Sequence, residues 1–280
     1  MGQALGRLLR ERGESIAAIA SLSPERAALA AAFVGGAAQP ATYADLPQHA
    51  ARILIAVPDD AIGAVARLLA NVGMRQGIAL HTSGAHGPEA LAPLAATGVA
   101  CGTLHPLQTV ANPAEGVRNL PGVAFAIDGA PQAVAWARQL AALLEGMPLN
   151  VPAASRPLYH AAAVMASNYL TALISTAVML MKEAGVDQAA ARLALAPLAH
   201  TSVENAFRLG PAAALTGPIA RGDADTVRGH LAALAKTPAA VDALYRAAGL
   251  ATLEIARRRG LAEVEAGVIE ELLRQGERCD

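Results

Sequence analysis

Two side chains able to handle a proton or a carbonyl group lie in a stretch without charged residues. Between Leu158 and Met181 the sequence has no Asp, Glu, Lys or Arg, but it contains His160, Ser167 and Asn168. At about 100° per residue, these three positions fall within an arc of about 100° on one face of a helix. Histidine can donate a proton near neutral pH, and an asparagine amide can orient a carbonyl group. The pattern predicts His160 and Asn168 as catalytic residues and Ser167 as a substrate contact. Buried polar residues satisfied by the backbone would give the same pattern.

Further hydroxyl and imidazole groups follow short apolar runs typical of buried strands. Thr82 and Ser83 come directly after the run 77–81, and His105 ends the run 99–105. Hydroxyls at 82 and 83 are suited to bond the carboxamide of a nicotinamide, Ser83 is also suited to bond the substrate, and His105 is a candidate substrate contact. Simple turns use the same residue types, so both interpretations stay open.

The first residues resemble the helix that follows a dinucleotide-binding glycine loop. In the motif G-x-G-x-x-G the last glycine allows the helix to pack closely on a strand, and Gly2 stands in its place. Roughly 20 residues later, where such proteins contact the adenosine ribose, the chain has Ser21, Ser23 and Arg26, with no acid before Glu25. Hydroxyl and guanidinium donors suit a phosphate, so the sequence favours NADP and leaves NAD possible. Ser23 is equally suited to cap the next helix.

Two turns supply the remaining candidates. Val57, Pro58 and Asp59 resemble the turn with which dehydrogenases contact their cofactor, although they also suit a helix cap. In the segment 216–223, Arg221 is suited either to bind a substrate carboxylate with two hydrogen bonds or to pair with Asp223.

Cysteine and histidine spacing gives no metal site. Cys101 and Cys279 lie far apart, and His81 and His86 have no further ligands nearby. We therefore predict neither a metal nor a disulfide framework.

Composition excludes several kinds of partner. The 280 residues carry a formal net charge of −1, 54% are hydrophobic and 16% are charged, so nothing attracts nucleic acid over long range. Charged residues interrupt the N-terminus before a signal peptide could form, which makes the cytoplasm the expected compartment.

The elements that position the candidates alternate between strands and helices up to about residue 150. Apolar runs predict strands, and the intervening segments predict helices; the strands are 15–20, 52–57, 77–81, 99–105 and 122–127, and the clearest helices are 61–71 and 130–144. This order predicts an α/β fold with a Rossmann-like parallel sheet covered on both faces. Ligands bind at the carboxyl ends of such strands, so the candidates there should share one cleft.

After Gly146 the pattern changes. Prolines between 147 and 157 mark a crossover, and only helices follow, at about 158–183, 187–208, 223–235 and 238–259, with a short frayed helix in 263–280. We therefore predict a dinucleotide-binding domain at 1–150 and an all-helical substrate and dimerisation domain at 151–280.

The first of these helices is long enough to cross a membrane. Its polar side chains argue for a soluble alternative, because Thr171, Ser175 and Lys182 continue the face of His160. An apolar helix with one polar stripe suits a buried helix that lines a cleft, and we expect no membrane partner.

Four ordered motifs resemble a family that joins a Rossmann-like NADP-binding domain to the domain of unknown function 2520. They are HTSGA at 81–85, LHPLQT at 104–109, YHAAAVMASNY at 159–169 and LTGPIARGD at 215–223. The resemblance extends from Gly2 to about residue 260. The family is similar in architecture to pyrroline-5-carboxylate reductase and to the 6-phosphogluconate dehydrogenase superfamily.

The resemblance implies a helical second domain that forms a homodimer, and hydride transfer between NADP and a carbonyl, imine or alcohol. Two features depart from the pattern. The first strand and its glycine loop are absent before Gly2, and Val164 stands where hydroxyacid dehydrogenases have a lysine, four residues before Asn168. Lysine chemistry is therefore not expected here.

Two functions follow from these residues. The first is an NADP-dependent oxidoreductase that reduces a small imine or carbonyl compound, with His160 as proton donor. The second is a nucleotide- or metabolite-binding protein without turnover, which the two departures favour. NADPH fluorescence on binding, followed by NADPH oxidation against ketoacids and cyclic imines, separates them.

The missing strand predicts weak cofactor binding. In a sheet of order 3-2-1-4-5-6 the first strand is central, so the strands at 15–20 and 52–57 should each have an unpaired edge. We expect the 280-residue chain to bind NADPH poorly in a fluorescence titration. Roughly ten to fifteen added residues that supply a strand and Gly-x-Gly-x-x should restore binding and raise the melting temperature. Tight binding by the unextended chain would contradict this expectation.

Overall fold

The computed structural model describes residues 1–275, and its contacts divide the chain into two compact units. The first unit is Met1–Tyr169 and the second begins at Leu170. The predicted crossover near residue 150 lies within the first unit. Cys279 and the end of the predicted tail helix lie outside the described residues.

The strands of the first unit form two separate sheets. A two-stranded parallel sheet contains β1 and β2, and a second sheet has the order β3-β4-β5-β6-β7. Their bounds are β1 Ala18–Ala20, β2 Gln39–Ala41, β3 Arg52–Ile55, β4 Ile78–His81, β5 Ala100–Pro106, β6 Ala124–Gly129 and β7 Met147–Asn150. Within the described residues β1 pairs only with β2 and β3 only with β4, which confirms the two unpaired edges.

The predicted parallel sheet is confirmed, with the exception of one pair of neighbouring strands. β3, β4 and β5 are parallel, but β6 is antiparallel to β5, with Thr103 opposite Asp128. The chain turns back at the end of β5, where the amide of Leu107 donates to the carbonyl of Ala124 at 2.8 Å. An apolar run predicts burial but carries no information about direction, so the sequence pattern missed the reversal.

Two short strands, β2 and β7, were also missed, because the prediction relied on apolar runs. β2 is largely exposed and contains Pro40, and β7 lies in the proline-containing segment that was interpreted as a crossover. β7 is parallel to β6, to which α7 (Pro131–Leu143) connects it. Neither strand has the continuous apolar run on which the prediction relied.

Helices cover both faces of the larger sheet, as the apolar strands predicted. Leu80, Leu104 and Phe125 pack in one core with Leu5 and Trp136. The opposite core contains strand residues such as Ile53 and Cys101, together with residues of α4 and α5. The other helices of this unit have the bounds α1 Gly2–Glu11, α2 Pro24–Val34, α3 Leu46–His49, α4 Asp59–Asn71, α5 Ala92–Ala95, α6 Pro113–Asn119 and α8 Arg156–Val164.

Among its described residues, the second unit contains helices and turns and no strand. The helices are α9 Leu170–Glu183, α10 Gln188–Leu209, α11 Pro211–Ala214, α12 Ala224–Leu234, α13 Ala239–Arg259 and α14 Glu263–Arg274. Ile219, Val227, Leu253, Ile269 and Leu273 form part of its core. The helices predicted at 187–208, 223–235 and 238–259 are confirmed within a few residues. The single helix predicted at 158–183 is divided into α8 and α9.

A π-helical turn at Met165–Tyr169 separates α8 from α9. A π turn adds one residue to the helical repeat, so the uniform 100° spacing behind the predicted polar stripe does not hold beyond it. By length and composition the segment Ala153–Glu183 could cross a membrane, and only 6% of its most apolar window is buried within the chain. Helices that are covered by another protein surface pass the same test.

Candidate functional site

The site in the first unit begins with a polar row across three strands. Adjacent-strand pairing places His81 beside Thr103 and Thr103 beside Asp128. Paired residues point to the same face of a sheet, so the three side chains form one row. His81 and Thr103 are fully buried.

Helix α8 places three more polar side chains on one face. Arg156, Tyr159 and His160 have the spacing i, i+3 and i+4, which brings side chains together on a helix. Arg156 is the first residue of the helix, and Pro157 follows it. Proline is tolerated there because the N–H groups of the first helical turn have no acceptor within the helix. Arg156 donates from Nη2 to Thr103 Oγ1, which ties the helix to the row.

His105 and Tyr159 form a hydrogen-bonded pair. His105 Nδ1 lies 2.8 Å from Tyr159 Oη, and the two rings meet edge to face with centroids 5.6 Å apart. Burial lowers the pKa of His105 to about 4, and the neighbouring His160 and the Arg156 cation act in the same direction. His105 is therefore neutral at pH 7. Burial raises the pKa of Tyr159, and the Arg156 cation opposes that change.

Gly84 allows two imidazoles to approach one point. A Cβ at this residue would lie 2.7 Å from His105 Nε2 and 2.9 Å from His160 Nδ1, too close for any side chain. His160 Nδ1 is buried and has no hydrogen-bond partner in the part of the chain that the structure describes. The structure thus brings together the predicted residues His105 and His160.

The turn after β4 is held by its own side chains. Ser83 is buried, and its Oγ accepts from the amides of Ala85 and His86 at 3.2 Å each. Its own amide donates to His81 Nδ1, while His81 Nε2 lies 2.9 Å from the carbonyl oxygen of Gly87. Burial lowers the pKa of His81. The Ser83 hydroxyl thus shapes the turn that presents Gly84.

The turn after β3 approaches the same place. Asp59, the first residue of α4, lies 4.0 Å from His86, measured from Oδ2 to Nε2. Pro58 precedes α4, and the amide of Thr82 donates to the carbonyl of Ile55 at 3.1 Å. The ends of β3, β4 and β5 therefore converge, as the sequence predicted. Val57 packs at the edge of the core beside α4.

The predicted cofactor residues near the N-terminus lie on α1 and at the end of β1. A Cβ at Gly2 would lie 3.0 Å from the Cβ of Ala56, so α1 packs as closely on the end of β3 as a dinucleotide-binding helix requires. The hydroxyl of Ser23 accepts from the amide of Arg26 and caps α2. Ser21 is half-buried and Arg26 is exposed at this end of β1. These residues fit a dinucleotide.

The π turn contains the other residues predicted on the central helix. Ser167 Oγ lies 2.9 Å from the carbonyl oxygen of Ala163 and 2.9 Å from Asn168 Oδ1. Asn168 is exposed. π turns are frequent at functional sites because they change the direction of side chains relative to the helix on either side.

Arg221 belongs to the second unit, where it ends a short 3₁₀ turn and is exposed. Asp223 accepts from both the amide and the hydroxyl of Thr226, and these bonds, followed by the Arg221 charge, lower its pKa.

Four residues of the site were missed from the sequence: Thr103, Asp128, Arg156 and Tyr159. A signal was present for two of them, because Arg156 and Tyr159 precede His160 at helical spacing. Thr103 and Asp128 gave no signal, since their pairing depends on the antiparallel direction of β6.

Two family models match the chain. Residues 1–106 match a Rossmann-like domain, and residues 123–252 match the domain of unknown function DUF2520. The resemblance drawn from the four motifs is thereby confirmed. A comparison with curated proteins finds no match.

Solved structures share the α/β and helical architecture. Protein TM1727 from Thermotoga maritima has a TM-score of 0.72 and 24% identity, over 91% of this chain and 96% of that chain. A Bacteroides fragilis protein, BF3122, assigned provisionally as an NADP oxidoreductase, has a TM-score of 0.66 and 20% identity, over 92% and 93%. Pyrroline carboxylate reductase from Plasmodium falciparum, solved with NADP bound, has a TM-score of 0.60 and 12% identity, over 97% and 94%. At these identities the likeness shows the fold.

The low pKa of His105 predicts acid sensitivity. Between its folded pKa of about 4 and the ordinary value of 6.5, the unfolded chain binds a proton that the folded chain does not. The free energy of unfolding should therefore fall as the pH drops through this range. In urea unfolding at about pH 7 and about pH 4.5, the wild type should lose about 2–3 kcal/mol more than His105→Gln. The exposed His49→Gln serves as the control, and equal losses in the wild type and His105→Gln would contradict the prediction.

Proposed function

We propose that this chain, which joins a Rossmann-like domain to a DUF2520 domain, is an NADP-dependent oxidoreductase that reduces a small imine or carbonyl compound. The observation that carries the proposal is the approach of His105 and His160 to Gly84, beside the carboxyl ends of β4 and β5, with Tyr159 bonded to the other ring nitrogen of His105. Ligands of open α/β sheets bind at these ends.

The cofactor is proposed from the residues at the strand ends. NADPH would supply the hydride, held by the amino end of α1 at Gly2, by the turns at 57–59 and 82–83, and by Ser21, Ser23 and Arg26 at the end of β1. The two serine hydroxyls and the Arg26 guanidinium near β1 are hydrogen-bond donors that suit a phosphate on the ribose. Two proteins of the same fold support the choice, since one is assigned to NADP chemistry and the other was solved with NADP bound.

The chemical roles of the site residues are proposed from their hydrogen bonds and their exposure. We assign His160 as the proton donor to the nitrogen or oxygen that becomes negative as hydride arrives. Its buried Nδ1 has no hydrogen-bond partner among the described residues and lies at Gly84, next to the neutral His105. Tyr159 fixes the orientation of His105. Asn168, exposed in the π turn, orients the substrate, and Ser167 supports its amide.

A binding protein without turnover is the second candidate. It is favoured by Val164, which replaces the lysine expected four residues before Asn168 in hydroxyacid dehydrogenases. The two functions differ in one measurable respect, because only the oxidoreductase consumes NADPH when ketoacids or cyclic imines are added.

Removal of the proton donor should affect rate more than stability. We expect His160→Ala to lower kcat by about 10²–10⁴-fold, and Asn168→Ala to lower kcat/KM, with little change in Tm. The measurement is NADPH oxidation against a panel of 2-oxo acids and cyclic imines, beside thermal unfolding. His49→Ala, an exposed histidine of α3, is the control and should retain full activity. A variant that keeps full activity while melting early would identify its residue as structural.

We further propose a homodimer formed through the helical region. Several large apolar side chains of α9 and α10 are exposed in the single chain, among them Leu173, Ile174, Leu193 and Phe207. Monomers rarely expose so much contiguous apolar surface, and obligate interfaces resemble a core cut in half. A second copy would cover this surface, which explains the apolar helix without a membrane.

Light scattering at micromolar concentration tests the dimer. The wild type should have twice the chain mass of 28.4 kDa, and Ile174→Glu should shift it toward the monomer. Leu29→Glu is the matched control, because Leu29 is also exposed but lies on α2 in the first unit. A monomeric wild type would refute the proposal.

A further inference from the structure

Arg156 carries a charge that the protein buries with a single partner. The residue is 1% exposed, and its one hydrogen bond within residues 1–275 runs from Nη2 to Thr103 Oγ1. The Nε and Nη1 atoms are buried and have no hydrogen-bond partner among the described residues. A buried cation without its full set of acceptors is strongly unfavourable and calls for an explanation, such as a ligand that supplies the acceptors.

The neighbouring carboxylates do not meet this need. Asp128 and Glu89 raise the pKa of Arg156 against the larger lowering effect of burial, so both lie near it. However, within the described residues neither lies within the 4.0 Å of an ion pair with the guanidinium. Each also accepts from a backbone amide at 2.8 Å, Asp128 from Gly129 and Glu89 from Gly87.

We propose that Arg156 binds a carboxylate of the substrate through its Nε and Nη1 edge. This assignment rests on the proposed function and narrows its substrate class. A guanidinium offers parallel N–H donors that match the two oxygens of a carboxylate. One carboxylate would accept hydrogen bonds from both free nitrogens and complete the bonding of the guanidinium.

The position of Arg156 on α8 sets the size of the substrate. His160 lies four residues later on the same face, and one turn of a helix rises about 5.4 Å. A carboxylate held by Arg156 therefore lies within a few ångströms of the atom that His160 protonates. This spacing selects a small acid whose carboxylate is attached to, or next to, the reducible carbon, such as a 2-oxo acid or a 2-imino acid.

The surroundings favour a carboxylate over a phosphate. Asp128 and Glu89 both lie close enough to act on the charge of Arg156. Two carboxylates near the guanidinium repel a second negative charge, so a monoanion is better accommodated than a dianion. The planar edge of the guanidinium also matches a planar ligand.

The first test measures anion binding in the full chain without NADPH. Thermal unfolding is followed with sodium acetate, inorganic phosphate or sodium chloride at equal ionic strength. We expect acetate to raise the Tm saturably, phosphate to do so less, and chloride not at all. Arg156→Met should abolish the acetate effect. Arg138→Met, an exposed arginine of α7, should leave it unchanged. No acetate-specific rise in the wild type, or an undiminished rise in Arg156→Met, would overturn the proposal.

A second variant covers the case in which Arg156→Met fails to fold. Arg156→Lys keeps the charge and removes the second donor nitrogen, so it should bind acetate at least about tenfold more weakly. Unchanged acetate affinity would overturn the proposal. A loss of the acetate effect in Arg221→Met instead would assign the carboxylate to the second unit and also overturn it.

Kinetics separates the failure of this proposal from the failure of the proposed function. With NADPH, kcat/KM for a 2-oxo acid should exceed that for its amide by about 10–100-fold, and Arg156→Met should remove most of that ratio. Turnover without preference for the acid would refute the role of Arg156 and retain the oxidoreductase. An acetate effect that depends on Arg156, in a chain that oxidises no NADPH with any substrate tried, would retain the anion site and refute the oxidoreductase.

Discussion

The buried guanidinium of Arg156 is the constraint on which the polar layer of the first unit depends. It is covered by the protein, it bonds Thr103, and it places its charge near two histidines. Burial is the main reason that the pKa values of His81 and His105 are lowered, and the Arg156 cation adds to the effect. Both imidazoles are thereby kept neutral, with one nitrogen as donor and the other as acceptor. Because the two imidazoles are neutral, the positive charge of this layer is located on the Arg156 guanidinium. An anion would therefore bind at that group.

The same helix connects this charge to the candidate proton donor. Arg156 lies one turn before Tyr159 and His160 on one face of α8, so the position of any one of them restricts the other two. The bond from Tyr159 to His105 and the bond from Arg156 to Thr103 attach that face to β5 at two places. The π turn that follows changes the direction of the helix face where Ser167 and Asn168 begin. In the proposed site, the face of α8 would bind the substrate, and the π turn would orient it through Asn168.

Close backbone approach makes this arrangement possible. At Gly84 the absence of a side chain lets His105 and His160 come near one another. At Gly129, where φ is +134°, a Cβ would lie 2.4 Å from the Cα of Gly102, so β5 and β6 can pair as they do only with glycine there. That pairing aligns Asp128 with Thr103. Substitutions at these two glycines would therefore act on the site through the backbone rather than through lost contacts.

The amino-acid sequence by itself determined the two-part architecture, the positions of most helices, and the place where the strand ends meet. These features depend on local periodicity and on turn residues, which are readable along the chain. It also selected His105 and His160, whose residue types and positions at element ends are informative without a structure. The direction of β6, the π turn, and the grouping of Thr103, Asp128 and Arg156 were decided only by the tertiary structure. They depend on which strands pair and on which groups surround a buried charge. These are contacts between residues far apart in the sequence, so a local sequence pattern does not predict them.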